Sequence, residues 1–188
     1  MYIFWDNSNI HYAGLDQVFP LKEPNIKREL YRTYFSGLLD VVTQGRAVDR
    51  ISFAGSVPPR DNALWYSVRK LGIVPDLLPR VVGEGEVNTT DHVLQLALLR
   101  LLSDVDKPGI FALLTGDGAG INKGQGFLAD VLRMVKKGWD VEIYSWDAAC
   151  HSQLRDFAKR YGKYVRLEDY YENITFIKNG RSALPITK

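Results

Sequence analysis

Short apolar runs alternating with longer segments of helical periodicity are the feature that most restricts what this 188-residue chain can fold into. Tyr2–Trp5, Ile51–Ala54, Ile73–Leu78, Ile110–Leu114 and Val141–Trp146 read as strands, and short strands are expected at Tyr164–Leu167 and Ile174–Ile177. Between them, Asn25–Gln44 carries an apolar stripe (Ile26, Leu30, Tyr34, Leu38, Val41, Val42) that predicts an amphipathic helix. Further helices are expected from about Asp61 to Leu71, from the possible caps Thr89 and Thr90 to about Ser103, from Lys123 to Lys137, and near Cys150–Tyr161. Gly72 and Gly138 stand where C-terminal caps belong. Ile110–Leu114 has no polar interruption, as a strand buried on both faces requires. Pro75 marks its strand as weak or as an edge. Strand–helix alternation of this kind predicts a three-layer α/β/α architecture around a central, mainly parallel sheet.

The length fits one domain, with residues 1–177 forming its body and 178–188 a polar tail expected to pack loosely. Lys and Arg total 24 and Asp and Glu 22, a net charge of +2 that disfavours a DNA-coating or polybasic membrane-binding protein. Cys150 is the sole cysteine, which excludes an internal disulfide or a Cys-rich zinc site and fits a reducing cytoplasm. The opening residues lack the pattern of a secretory signal, and the most apolar stretch, Val93–Leu102, is too short to span a bilayer. No membrane association is therefore expected. That stretch is apolar nearly all round its helix, which implies burial or, alternatively, cover by a second subunit in a homodimer.

In open α/β sheets the working crevice lies beyond the carboxyl ends of the strands. Asp6 follows the first strand, Asp117 follows the Ile110–Leu114 strand, and Asp91 opens the apolar helix. Each has a purely structural use, as an Asx turn or a balance to the helix dipole. If the two strands are neighbours the three carboxylates converge, and their repulsion is relieved by a cation. Hard oxygen donors favour Mg²⁺ or Mn²⁺ over zinc. His11, His92 and His151 have no zinc-like spacing. Asn7 and Asn9 either orient water or phosphate beside Asp6 or simply form the turn. The run Thr115-Gly116-Asp117-Gly118-Ala119-Gly120, continuing to Lys123 and Gly126, either lets backbone N–H groups approach an anion or meets the conformational needs of a loop. Gly118 and Lys123 are the candidates there for phosphate contact. No Walker A loop occurs, and the glycines follow the wrong strand for a dinucleotide fingerprint.

Several segments together resemble the NYN domain, the branch of the PIN-like nuclease superfamily that includes the LabA-like proteins. Ile3-Phe4-Trp5-Asp6-Asn7-Ser8-Asn9 resembles the family's opening strand, and Phe53-Ala54-Gly55-Ser56-Val57-Pro58-Pro59 its second. Thr90-Asp91 stands at the helix-borne aspartate, and Leu114-Thr115-Gly116-Asp117-Gly118 resembles the S-G-D-x-D loop. Gly138-Trp139-Asp140-Val141-Glu142-Ile143 and Ser152-Gln153-Leu154 resemble the last core strand and helix, so the likeness extends over residues 1 to about 170. It implies a PIN-like fold and a Mg²⁺- or Mn²⁺-dependent ribonuclease. Asp6, Asp91 and Asp117 would then be the metal ligands and catalytic residues, with Asn7 and Asn9 orienting water or phosphate and RNA as the partner. Ala119 replaces the loop's second aspartate, and no lysine precedes Asp91. Asp147 is a candidate to replace the missing carboxylate. The alternative implied by Ala119 is a weak or inactive member that binds RNA or a nucleotide as a regulatory module.

Overall fold

The computed structural model describes residues 1–57, 63–79, 89–117 and 126–186. Strand β1 (Tyr2–Asp6) runs directly into α1 (Asn7–Ala13), a π-helical turn (Gly14–Val18) and α2 (Phe19–Lys22). A 3₁₀ turn (Arg28–Leu30) leads to β2 (Tyr31–Thr33), α3 (Phe35–Thr43) and β3 (Arg50–Val57). Next come α4 (Ala63–Lys70), β4 (Pro75–Pro79), α5 (Thr89–Asp104), β5 (Ile110–Leu114), α6 (Phe127–Lys136) and β6 (Asp140–Ser145). The order closes with α7 (Ser152–Tyr161), β7 (Gly162–Arg166), a 3₁₀ turn, α8 (Tyr171–Ile174) and β8 (Thr175–Ile177).

Six strands form one sheet in the order β4-β3-β1-β5-β6-β7, each neighbouring pair parallel. Parallel pairing demands crossovers, and the helices between strands supply them on both faces. From β1 the chain builds outward through β3 to β4, then returns to place β5 on β1's other side and continues through β6 to β7. The direction of winding therefore reverses between β1 and β5, the switch point where such sheets open a crevice. Register sets Trp5 against Leu114, so Asp6 and Thr115 leave the two strands at the same level.

Alternate residues of each central strand enter opposite cores, the period-two rule of a strand. Ile3 and Trp5 of β1, Ala112 and Leu114 of β5 and Tyr144 of β6 join Phe35, Leu38, Trp65 and Ile174 on one face. Phe4, Phe111, Leu113, Val141 and Ile143 join Leu94, Leu98, Val131 and Leu154 on the other. The architecture is thus the expected α/β/α sandwich. β4, with a proline at each end, lies at the edge where Pro75 placed it. Gly72 and Gly138 take φ of 76° and 91°, the left-handed conformation of the caps expected there.

Two expectations are corrected, and one helix appears that the sequence reading does not include. Residues 25–44 do not form one helix: 31–33 pair antiparallel with β8, which buries Tyr31 and Thr33 and leaves Ile26 and Tyr34 exposed. Helicity instead begins only one residue after β1, because the Asp6 side chain caps α1. The tail through residue 186 is tied to the body. Leu184 N–H donates to Glu172 O, Asn173 donates to the carbonyls of Leu184 and Pro185, and Arg181 bridges Glu23 and Thr175. α5 is buried along Leu94, Leu98 and Leu101, while Leu96 and Leu99 reach solvent on its outer side. No helix among the described residues is long and apolar enough to cross a membrane.

Trp5 and Trp65 are core residues, 0% and 1% exposed. Gly55 makes room for the second: a Cβ there would come within 2.8 Å of the Trp65 ring.

Candidate functional site

Asp6 ends β1 and is 5% exposed. Its Oδ1 accepts the Asn9 N–H at 2.9 Å, which makes it the N-cap of α1. Burial pushes its carboxyl up to about 7, the Asn9 amide partly offsets this, and Asp91 and Asp117 raise it further. Asp91, in the first turn of α5, is raised to about 6 by burial and by Asp117, with His92 opposing. Asp117 lies exposed two residues beyond the level of Asp6. The structure therefore brings the three sequence-predicted aspartates into one electrostatic neighbourhood at the switch point, contributed by β1, the start of α5 and the end of β5. Among the described residues, no group of three or more His, Cys, Asp or Glu side chains is gathered tightly enough to hold a metal ion.

The loop after β5 is held from two sides. Gly116 N–H donates to Asn9 Oδ1 at 2.6 Å, and Gly116 O accepts from His151 N–H at 2.9 Å. One oxygen of Asn9 is therefore committed to fastening β5's exit to α1. Gly116 is closely approached: a Cβ there would sit 3.0 Å from Asn9 Oδ1 and 3.1 Å from Ser145 Oγ, so a larger residue would press on both side chains. Ser8 and Ser56 hydroxyls meet at 3.3 Å and join α1 to the end of β3. Asn7, beside Asp6, is 5% exposed and its Oδ1 has no hydrogen-bond partner among the described residues. An orphaned buried acceptor beside a raised carboxyl suits a hard cation or a donor from a ligand. Asn9→Ala should cost about 1–3 kcal/mol, because it leaves the Gly116 N–H unpaired. Denaturant unfolding checks the loss, and the amide resonances of Gly116 and Asp117 should shift.

Other candidates lie elsewhere. Asp147 is ion-paired to Arg155 at 2.9 Å and accepts from Tyr164 OH at 3.0 Å, so its carboxylate is engaged on the α7–β7 side. His151 caps α7 through its ring, and His92 is exposed. Gly118 and Lys123 lie outside the described residues. His11 contacts Thr33 Oγ1 through Nδ1 at 3.0 Å. Burial, with Arg32 and Arg28 adding to it against Asp16, lowers its pKa to about 4.

A histidine whose folded pKa lies below its unfolded 6.5 contributes stability that is present above 6.5 and lost as pH falls toward 4. His11→Gln should therefore flatten the acid limb of the stability curve. About 2–3 kcal/mol of the wild-type loss between pH 7 and 4 should disappear, measured by urea unfolding across that range.

Sequence reasoning missed Asp130. It lies in the first turn of α6, is 4% exposed, and accepts hydrogen bonds from the Gln95 amide and the Arg133 guanidinium. Its signal is a carboxylate on the apolar face of a strongly amphipathic helix, a position that requires partners. Compared with protein-family models, with curated proteins and with solved structures, the chain matches none.

Proposed function

We propose that this protein is a divalent-cation-dependent nuclease acting on RNA, in keeping with its resemblance to NYN domains, with the crevice between β1 and β5 as its active site. The observation that carries this reading is the gathering of Asp6, Asp91 and Asp117 at the switch point. Burial first and the neighbouring carboxylates second raise the Asp6 and Asp91 carboxyls toward neutrality, and a bound cation would favour their ionised forms. The donor set fits a hard ion by its chemistry, oxygen throughout: three carboxylates and Asn7 Oδ1, which has no hydrogen-bond partner among the described residues. Asp6, Asp91 and Asp117 would hold Mg²⁺ or Mn²⁺. Such an ion supplies Lewis acidity, acidifying water for attack on a phosphodiester and offsetting charge on the phosphoryl oxygens.

The chain's own residues do the positioning. The Asn9–Gly116 bond holds the loop carrying Asp117 against α1, while the Asn9 N–H holds one oxygen of Asp6. Asp6 is fixed by strand and cap, whereas Asp117 is exposed and approaches solvent, where a substrate phosphate arrives. Ala119 favours one alternative, an RNA-binding module that does not cut.

Purified protein with Mn²⁺ should cleave a labelled single-stranded RNA, and Asp117→Asn should slow cleavage about 10²-fold or more. Equal rates for Asp117→Asn and wild type would refute the assignment. Tight RNA binding without cleavage under any divalent ion would establish the alternative.

A further inference from the structure

Asp130 stands apart from the three aspartates in having both its oxygens engaged, Oδ2 by Gln95 Nε2 and Oδ1 by Arg133 Nη1. A carboxylate so placed is not free to serve as a fourth ligand. Its two partners explain its use. Gln95 lies four residues after Asp91, one turn further along the same face of α5. Arg133 lies one turn beyond Asp130 on α6. α5 and α6 otherwise meet through aliphatic side chains, Leu94, Leu98, Val131 and Met134 among them, which resist separation but allow one helix to slide along the other. The polar contact supplies the missing specification, because Gln95 reaches the buried carboxylate at only one relative height of the helices.

We propose that Gln95, Asp130 and Arg133 form a positioning brace that sets how far Asp91 projects into the crevice it shares with Asp6 and Asp117. The proposal rests on the reading of that crevice as the working site. Asp91 is the only one of the three borne by a helix rather than by the end of a strand. Asp6 is set by the sheet register and Asp117 by the held loop, so α5 is the element whose height remains to be fixed. Arg133 fixes the carboxylate on its own helix, and Gln95 transmits that position across to Asp91's turn. None of the three touches the reacting atoms. They act through Asp91.

The test compares wild type with Gln95→Leu, Asp130→Leu and Asp130→Asn in two measurements on the full chain. The first records the backbone amide resonances of Asp6, Asp91 and Asp117 without metal. The second titrates each protein with Mg²⁺. Both leucine variants should shift the Asp91 amide and those of Asp6 and Asp117 across the crevice, and weaken Mg²⁺ about tenfold or more, as loss of an outer partner does. Asp130→Asn retains an acceptor for Gln95 and should recover most of both. A purely structural role, with Asp130 serving only the dipole of α6, predicts a lowered melting temperature with the three amides unmoved, and that result would overturn the brace. Should the leucine variants unfold, the comparison of Asp130→Asn with Asp130→Ser decides, since serine is too short to reach Gln95: equal spectra would overturn the brace. If the amides move as expected and wild type binds no divalent ion, the brace stands and the metal reading falls.

Discussion

Replacing Asp6 with Asn should make the protein more stable and far less active, two changes of opposite sign from one atom pair. The carboxyl titrates at about 7 in the folded chain against 3.8 as a free side chain. A carboxyl raised on folding contributes stability that is fully present below 3.8 and lost as pH rises through 7. The full linkage corresponds to about 4 kcal/mol, and asparagine, which never ionises and still accepts the Asn9 N–H, escapes the loss. The variant should therefore match wild type near pH 4 and exceed it by about 2–4 kcal/mol at pH 8, measured by denaturant unfolding without divalent ions. On the proposed function the same change removes a metal ligand and should lower Mn²⁺-dependent RNA cleavage by about 10²–10⁴-fold. Saturating Mn²⁺ should reverse the order of stabilities, since only wild type then gains binding free energy. His11 titrates in the opposite direction over the same interval, so wild-type stability between pH 4 and 7 is flatter than either group alone dictates.

Trp146→Ala should be the most destabilising single change outside the crevice, at about 3–5 kcal/mol. The ring, 1% exposed at the end of β6, packs edge-on against Tyr171 at 6.3 Å and lies beside Gly14, where a Cβ would come within 3.0 Å of it. Its Nε1–H donates to Ile10 O at 2.8 Å, which fastens α1 to β6. Phenylalanine keeps most of the ring and loses the donor, so Trp146→Phe should cost about 1–2 kcal/mol, the difference being cavity. Because α1 carries Asn7 and Asn9, both variants should also shift the Gly116 amide through the Asn9 contact. Urea unfolding followed by near-ultraviolet circular dichroism measures the first effect and amide resonances the second.

The middle of the sheet was legible because β1 and β5 are buried on both faces. Ile110–Leu114 was read with the bounds it has, and the glycine caps at 72 and 138 marked where helices end. Asp6, Asp91 and Asp117 were legible for a related reason, since their places follow from which strand or helix each terminates. What depended on distant partners was not. Residues 25–44 carry a helical apolar stripe, but pairing of 31–33 with 175–177 supplies backbone hydrogen bonds that one continuous helix would have had to forgo. The tail reads as polar and is held by Arg181 and Asn173, whose partners lie across the fold. The brace required knowing that α5 and α6 pack side by side. The helix from Asn7 onward was within reach: Asp6 is a strong N-cap, and Ile10, Gly14 and Val18 recur at four-residue spacing, all buried.

Anomalous diffraction from crystals soaked in Mn²⁺ tests the central claim most directly. A peak about 2–2.5 Å from carboxylate oxygens of at least two of Asp6, Asp91 and Asp117 is the expected result, and it should vanish in Asp6→Asn. A saturating soak that leaves the crevice without a peak, or places manganese only at carboxylates elsewhere, would contradict it.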